Sequence, residues 1–186
     1  EQKSVIALAP GDARFGKIVL SRSANPGGKV YFDDVVLREA PPAFGARLSG
    51  DQTVNKNVET LVAFDTKDYD YANAFNASAS NYSYTAPEDG LYEINAALVG
   101  ASTDPLASTH KMIQRIKKTS GGSTTTISEV YGTVQAGLDQ FNSSVSMNLE
   151  LQFGDVIQVY ALLAVNGTNT IEAGLEKSYF TGRKIS

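Results

Sequence analysis

The sequence predicts an all-β protein, on three observations. Beyond the Pro41-Pro42 pair, short runs rich in Val, Ile, Thr, Tyr and Phe alternate with clusters of Gly, Asn, Ser and Asp. No stretch sustains the 3.6-residue apolar period of an amphipathic helix. The segment Tyr82 to Leu98 reads strand, turn, strand: Tyr82, Tyr84, then Leu91 or Tyr92, Ile94, Ala96 and Leu98 recur at period two, which places alternate side chains on one face of a pleated strand. About nine or ten strands at this spacing fit a sandwich or jelly roll.

The elements follow in order. Lys17 to Ser21 and Lys29 to Leu37 read as strands by β-branched and aromatic content, joined through Ala24-Asn25-Pro26-Gly27-Gly28 into a hairpin. Pro41-Pro42 favours extended polyproline II, so residues 41–42 form a stiff linker and the boundary between residues 1–40 and 43–186. Strands are then expected at Phe44 to Leu48, Glu59 to Phe64, Asn81 to Thr85, Gly90 to Val99, Lys111 to Lys118 and Thr124 to Tyr131. Further strands are expected at Phe141 to Gln152, Val156 to Ala164, and Ile171 to Ile185 with a break. Pro87-Glu88-Asp89-Gly90 supplies a turn, proline fixing φ and glycine tolerating φ > 0. Lys118 to Ser123, with Gly121-Gly122, is a hairpin loop, and Asn166-Gly167 is a strong short-range hairpin signal.

Composition narrows the function classes. The 186 residues are 42% hydrophobic and 19% charged, ordinary for a globular chain. A net charge of -4 argues against nonspecific nucleic-acid binding, which needs a basic stripe. No segment approaches the length of a membrane span, so no membrane insertion is expected. Cysteine is absent, which excludes disulfides, thiolate metal sites and cysteine nucleophiles. Glu1 stands first with no initiator methionine and no signal sequence, so the chain reads as a piece of a longer one.

The run Tyr84-Thr85-Ala86-Pro87-Glu88-Asp89-Gly90-Leu91-Tyr92 resembles the aromatic-Thr-x-Pro-x-x-Gly-x-Tyr signature of C1q-like domains, of the C1q/tumour-necrosis-factor jelly-roll superfamily. Ala43 to Leu48 is similar to the first strand of such domains and Leu61 to Thr66 to the next block. Leu149 to Ile157 is similar to a Leu-x-x-Gly-Asp-x-Val block, and Ser178 to Ile185 to the closing strand. The match departs from the family at Asn73-Ala74-Phe75-Asn76, and no collagen-like repeat precedes the domain. Gly28 to Leu37 resembles the last strand of carbohydrate-binding modules with the galactose-binding-like β-sandwich, so residues 1–40 read as the end of such a module.

His110, the sole histidine, has neither a cysteine nor a second histidine for zinc or a catalytic triad. Gly121-Gly122 lacks the lysine and helix of a phosphate loop. Glu88 with Asp89, and Glu172 with Glu176, are carboxylate pairs with no cleft in evidence, so no catalytic residue is assigned and no enzyme activity is expected. Asp65, Asp68 and Asp70 place three carboxylates within six residues, a calcium-ligand composition without EF-hand spacing, partly offset by Lys67. The segment reads first as a solvated turn and only second as a calcium loop. Calcium is thus the one cofactor considered, and it occurs in some members of the resembled family. Tyr69 and Tyr71 offer aromatic faces to a sugar ring or pack internally. With Asp68, Asp70, Asn73, Asn166 and Asn169 they form the candidate ligand-binding set. The Asn-x-Ser/Thr triplets at Asn76, Asn81, Asn142 and Asn166 meet the glycosylation rule and matter only in a secreted eukaryotic chain.

The resemblance implies a homotrimer in which each jelly roll packs against two neighbours, with Phe44, Tyr92, Tyr160, Tyr179 and Phe180 as interface candidates. It implies a non-catalytic recognition head on an extracellular fibre. The combination looks most like a bacteriophage tail fibre or receptor-binding protein that contacts cell-surface glycans and joins other fibre or virion proteins through its upstream region. Two further readings stay open: a structural trimerisation clamp, and an accessory module of a secreted bacterial polysaccharide-degrading enzyme.

Overall fold

A computed structural model describes residues 40–104, 110–135, 140–174 and 176–186. The expected hairpin between Lys17 and Leu37, and with it the module fragment at residues 1–40 apart from Ala40, lie outside these residues.

Fourteen strands are described: β1 Ala43–Arg47, β2 Gln52–Val54, β3 Thr60–Leu61, β4 Thr66–Asp70, β5 Phe75–Asn76, β6 Ser83–Thr85 and β7 Gly90–Ser102. After them come β8 Met112–Ser120, β9 Ser123–Tyr131, β10 Thr133–Gln135, β11 Gln140–Leu151, β12 Val156–Leu163, β13 Asn169–Ile171 and β14 Tyr179–Lys184. They build two antiparallel sheets. The larger runs β10-β11-β7-β14-β1-β4, with β13 bridging β7 and β2. The smaller runs β5-β6-β12-β8-β9, with β3 on β12. The all-β sandwich expected from the sequence is therefore the architecture found.

The core lies between the sheets and follows from the alternation read in the sequence. On β7, Tyr92, Ile94, Ala96 and Leu98 point inward, each no more than 1% exposed. Tyr92, not Leu91, therefore begins the inward row. Phe44, Phe75, Tyr84 and Phe180 join them: the Phe44 ring stacks on Tyr84 at 4.2 Å and meets Phe180 edge-on at 4.8 Å, both favourable aromatic arrangements. Burying each of these rings is worth about 1.5–3 kcal/mol. Gln114 is buried and satisfied, its Nε2 donating to the Ala96 carbonyl and its Oε1 accepting from Ser143 Oγ.

Several boundaries differ from the sequence reading. The segment read as an acidic turn is strand β4, paired with β1 across a bulge between Gly45 and Ala46. Strands β2, β5 and β10 were not anticipated; each is three residues or fewer, too short to show a period. Tyr82 precedes β6 with φ 35°, a left-handed conformation, so the period-two row begins at Tyr84. Gly90 adopts positive φ, at 159°, and also allows close approach: a Cβ there would lie 2.5 Å from the Ser186 carbonyl oxygen.

Candidate functional site

The outer face of the larger sheet is set by the same registers that build the core. Because residues across antiparallel strands share a face, three rows can be read across it. Ser144, Ala97, Tyr179, Arg47 and Thr66 form one. Ser146, Asn95, Thr181, Gly45 and Tyr69 form the next, and Asn148, Glu93, Arg183 and Ala43 the third. Tyr71 closes the third row by donating its N–H to the Ala43 carbonyl at 2.9 Å. The middle of this face is small side chains, with tyrosines at one margin.

Tyr69 lies flat across Gly45, where a Cβ would sit 2.5 Å from a ring carbon. Only glycine leaves that space, and Gly45 is buried beneath the ring. The Tyr71 ring follows at 5.5 Å, and both remain exposed, at 39% and 44%. Together with Glu93, Asn95, Thr181 and Arg183 they line a shallow cleft of about 390 Å³. Its charges are paired: Arg183 Nε donates to Glu93 at 2.6 Å and Arg47 Nε to Asp68 at 2.7 Å. Burial first, then the neighbouring Tyr71 and Asp68, push the Tyr69 hydroxyl above its usual pKa, so it stays a protonated donor at neutral pH.

The predicted calcium ligands do not converge. Asp65 accepts from Ser49 N and Oγ at 2.7 and 2.6 Å; burial pushes its carboxyl up, and these hydrogen bonds more than offset that, holding it below the usual range. Asp68 is taken by Arg47. Asp70, with its side chain 5% exposed, accepts from the N–H groups of Ala74 and Phe75 and from Lys67 Nζ. Among the described residues no three His, Cys, Asp or Glu side chains come together in a way that could hold a metal. The physical reason is the bulge in β4: regular alternation would put Asp68 and Asp70 on one face, but the extra residue at the bulge turns Asp68 to Arg47 and leaves Asp70 inward opposite Phe44, while Asp65 precedes the strand.

The remaining ligand candidates are scattered. Asn73 stands at φ 50° after β4 and accepts from Lys67. Asn166 accepts from Lys56 Nζ at 2.5 Å at the opposite end of the sandwich. Asn169 is 1% exposed, its amide donating to the Val165 carbonyl, and presents nothing to a ligand. The interface candidates divide likewise. Phe44, Tyr92 and Phe180 are 0% exposed within the single chain and so have no surface for a neighbour; alternation sends them inward. Tyr179 lies on the outer face of the larger sheet, while Tyr160 lies on that of the smaller one. Glu88 pairs with Lys184, Asp89 accepts from Phe153 N–H, and Glu172 pairs with Lys177 and accepts from Gln140, so neither carboxylate pair acts as a unit.

Sequence reasoning passed over Asn95, Ala97, Thr181, Ser144 and Ser146. One signal was present: β7 carries Asn95, Ala97, Val99 and Ala101 at the positions that alternate with its core row, where a solvated strand would carry long polar side chains.

No protein-family model and no curated protein matches the chain. Solved structures do. The globular domain of zebrafish complement 1qA is 16% identical with a TM-score of 0.55, covering 78% of this chain and 98% of its own. Murine APRIL at pH 5.0 is 11% identical with a TM-score of 0.57, covering 78% and 100%. Eiger TNF from S. frugiperda is 13% identical with a TM-score of 0.55, covering 79% and 94%. At these identities the likeness is one of fold: the two-sheet sandwich is a C1q/TNF-type jelly roll.

Proposed function

We propose that this chain is a non-catalytic recognition head that works as a homotrimer. In this reading it stands at the end of an extracellular fibre, a phage tail fibre or receptor-binding protein, and contacts host-surface glycans. Self-association uses the outer face of the larger sheet. The observation that carries this is the patch of small, half-buried side chains (Asn95, Ala97, Thr181) flanked by the exposed Tyr69 and Tyr71 and the half-buried Tyr179. Small side chains let a second backbone approach closely, and tyrosines supply large, rigid contact area with a polar tip. The Arg183–Glu93 and Arg47–Asp68 pairs add no net charge to this face. Three linked heads would turn weak single-site contacts into useful avidity.

The test is mass in solution by light scattering, with Ala97→Arg as the probe. The unaltered chain is expected at three times its 19.8 kDa mass and the variant at a single mass with an unchanged circular-dichroism spectrum. A chain that is monomeric at micromolar concentration overturns the reading. A trimer that adsorbs to no cell-surface polysaccharide points instead to a structural clamp.

A further inference from the structure

We propose that the outer face of the smaller sheet is the saccharide-recognition surface, taking an uncharged sugar over Arg115 between Tyr131 and Tyr160. The inference rests on the recognition-head reading, because a head that assembles through the larger sheet leaves this face open. Register places its groups. Tyr160, Arg115 and Glu129 stand in one row across β12, β8 and β9, and Leu162, Ile113 and Tyr131 in the next. Tyr160 and Tyr131 are two strands apart, roughly 10 Å across the sheet, with Arg115 and Ile113 as the floor between them. That gap accommodates one pyranose ring lying flat.

The polar groups on this floor are held in place. Arg115 donates from Nη1 to Glu59 at 2.9 Å and from Nε to Glu129 at 2.6 Å. Lys117 Nζ reaches Glu59 and lies 4.4 Å from the Tyr160 ring centre, a cation–π contact. Tyr131, 58% exposed, donates its hydroxyl to Glu129 at 2.9 Å. Tyr160 donates to Gln158, whose amide donates to the Asn81 carbonyl in the loop where Ser80 and Tyr82 adopt left-handed φ. Planar donors and acceptors fixed before the ligand arrives lose little entropy on binding. Alternating carboxylate and guanidinium groups match adjacent hydroxyls, each of which both donates and accepts.

Charge selects the class of sugar. Glu59 and Glu129 balance Arg115 and Lys117, so a sulfated or sialylated glycan finds no unpaired cation among these four groups of the floor. A neutral sugar pays no such penalty, and the exposed ring of Tyr131 offers its apolar face.

The experiment is a glycan array of neutral hexose and N-acetylhexosamine oligosaccharides beside sialylated and sulfated ones, followed by saturation-transfer NMR with any sugar captured. It compares the unaltered chain, Tyr131→Ser and Arg115→Lys. Light scattering and circular dichroism on each confirm assembly and fold. The expected result is binding of neutral sugars that falls about tenfold or more in both variants. Unchanged affinity in both variants overturns this inference and leaves the recognition head standing, as does binding of acidic glycans alone. A trimer that captures no glycan of either kind overturns the recognition-head reading itself, and this inference with it.

Discussion

Replacing Gly45 by alanine separates the stability of the single chain from its self-association. The added Cβ would fall 2.5 to 3.0 Å from three atoms of the Tyr69 ring, so the ring must leave the sheet face. Gly45 is not among the residues with positive φ, so alanine fits the strand and restricts the unfolded chain, a gain of about 0.4–1 kcal/mol. Losing the ring's contact offsets this, and the monomer is expected to stay within about 1 kcal/mol of its original stability. Association is affected more. A tyrosine presents about 200 Å², and Tyr69 keeps 39% of its surface exposed, which leaves about 80 Å² for a neighbour to cover. At 25 cal/mol per Å² that is ~2 kcal/mol per protomer, or ~6 kcal/mol in a trimer, an upper bound of about four powers of ten in the association constant. Dilution-series light scattering reads the association, and urea unfolding at a concentration where all chains are monomeric reads the fold. A variant that assembles at the same concentrations as the unaltered chain would refute Tyr69 as a contact. One that unfolds several kcal/mol earlier would refute the claim that its ring can swing clear.

Three further outcomes are expected. Phe44→Ala removes a ring that touches Phe75, Tyr84 and Phe180, and should cost about 3–5 kcal/mol in urea unfolding; a loss below 1 kcal/mol would contradict its central place in the core. Acid should destabilise the chain through Asp155. Burial pushes that carboxyl up, but the Lys118 ion pair and the Gln152 N–H more than offset it and bring it below the ordinary 3.8. The folded state then binds fewer protons than the unfolded one, so this stability is full above 3.8 and is lost as pH falls through the folded value. Melting temperature followed from pH 7 downward should drop more steeply in the unaltered chain than in Asp155→Asn. Finally, adding calcium or a chelator should leave the melting temperature unchanged, because Asp65, Asp68 and Asp70 each serve a different partner; a rise with calcium would reveal a site that the separate pairings do not anticipate.

Much of the fold was legible because long strands obey one rule at every position. In β7 the eleven residues from Leu91 to Ala101 alternate without a break, so the strand and its inward face could both be read. The same holds for β12. What stayed hidden was decided by contacts distant in sequence. Nothing local to Thr66–Asp70 says strand: its residues are depleted in strands, apart from threonine and tyrosine, and it is one only because β1 supplies a partner edge. Likewise Phe44, Tyr92 and Phe180 read as interface aromatics when judged by type alone. Their burial follows from which neighbour in each strand takes the inward slot.

The two outer faces show why type and position must be argued together. Tyr69 and Tyr160 are both partly exposed tyrosines on sandwich strands, yet their surroundings differ. Beside Tyr69 its own row carries glycine, threonine and asparagine, with the Arg47–Asp68 and Arg183–Glu93 pairs in the rows on either side, so the centre of the patch gains by being covered while its charges stay paired within one chain. Beside Tyr160 stand Arg115, Lys117, Glu59 and Gln158, whose desolvation under a flat protein partner would cost several kcal/mol per unmatched charge. A ligand that brings its own hydroxyls replaces that lost water group by group. On the proposed reading the same side chain would serve packing on one face and recognition on the other, and exchanging the surroundings should exchange the roles. Thr181→Lys, which puts a charge into the small-residue row, is expected to abolish assembly while leaving the neutral-sugar contact of the single head intact in saturation-transfer NMR. Loss of both at once would mean that the sugar site is built between copies and not on one chain.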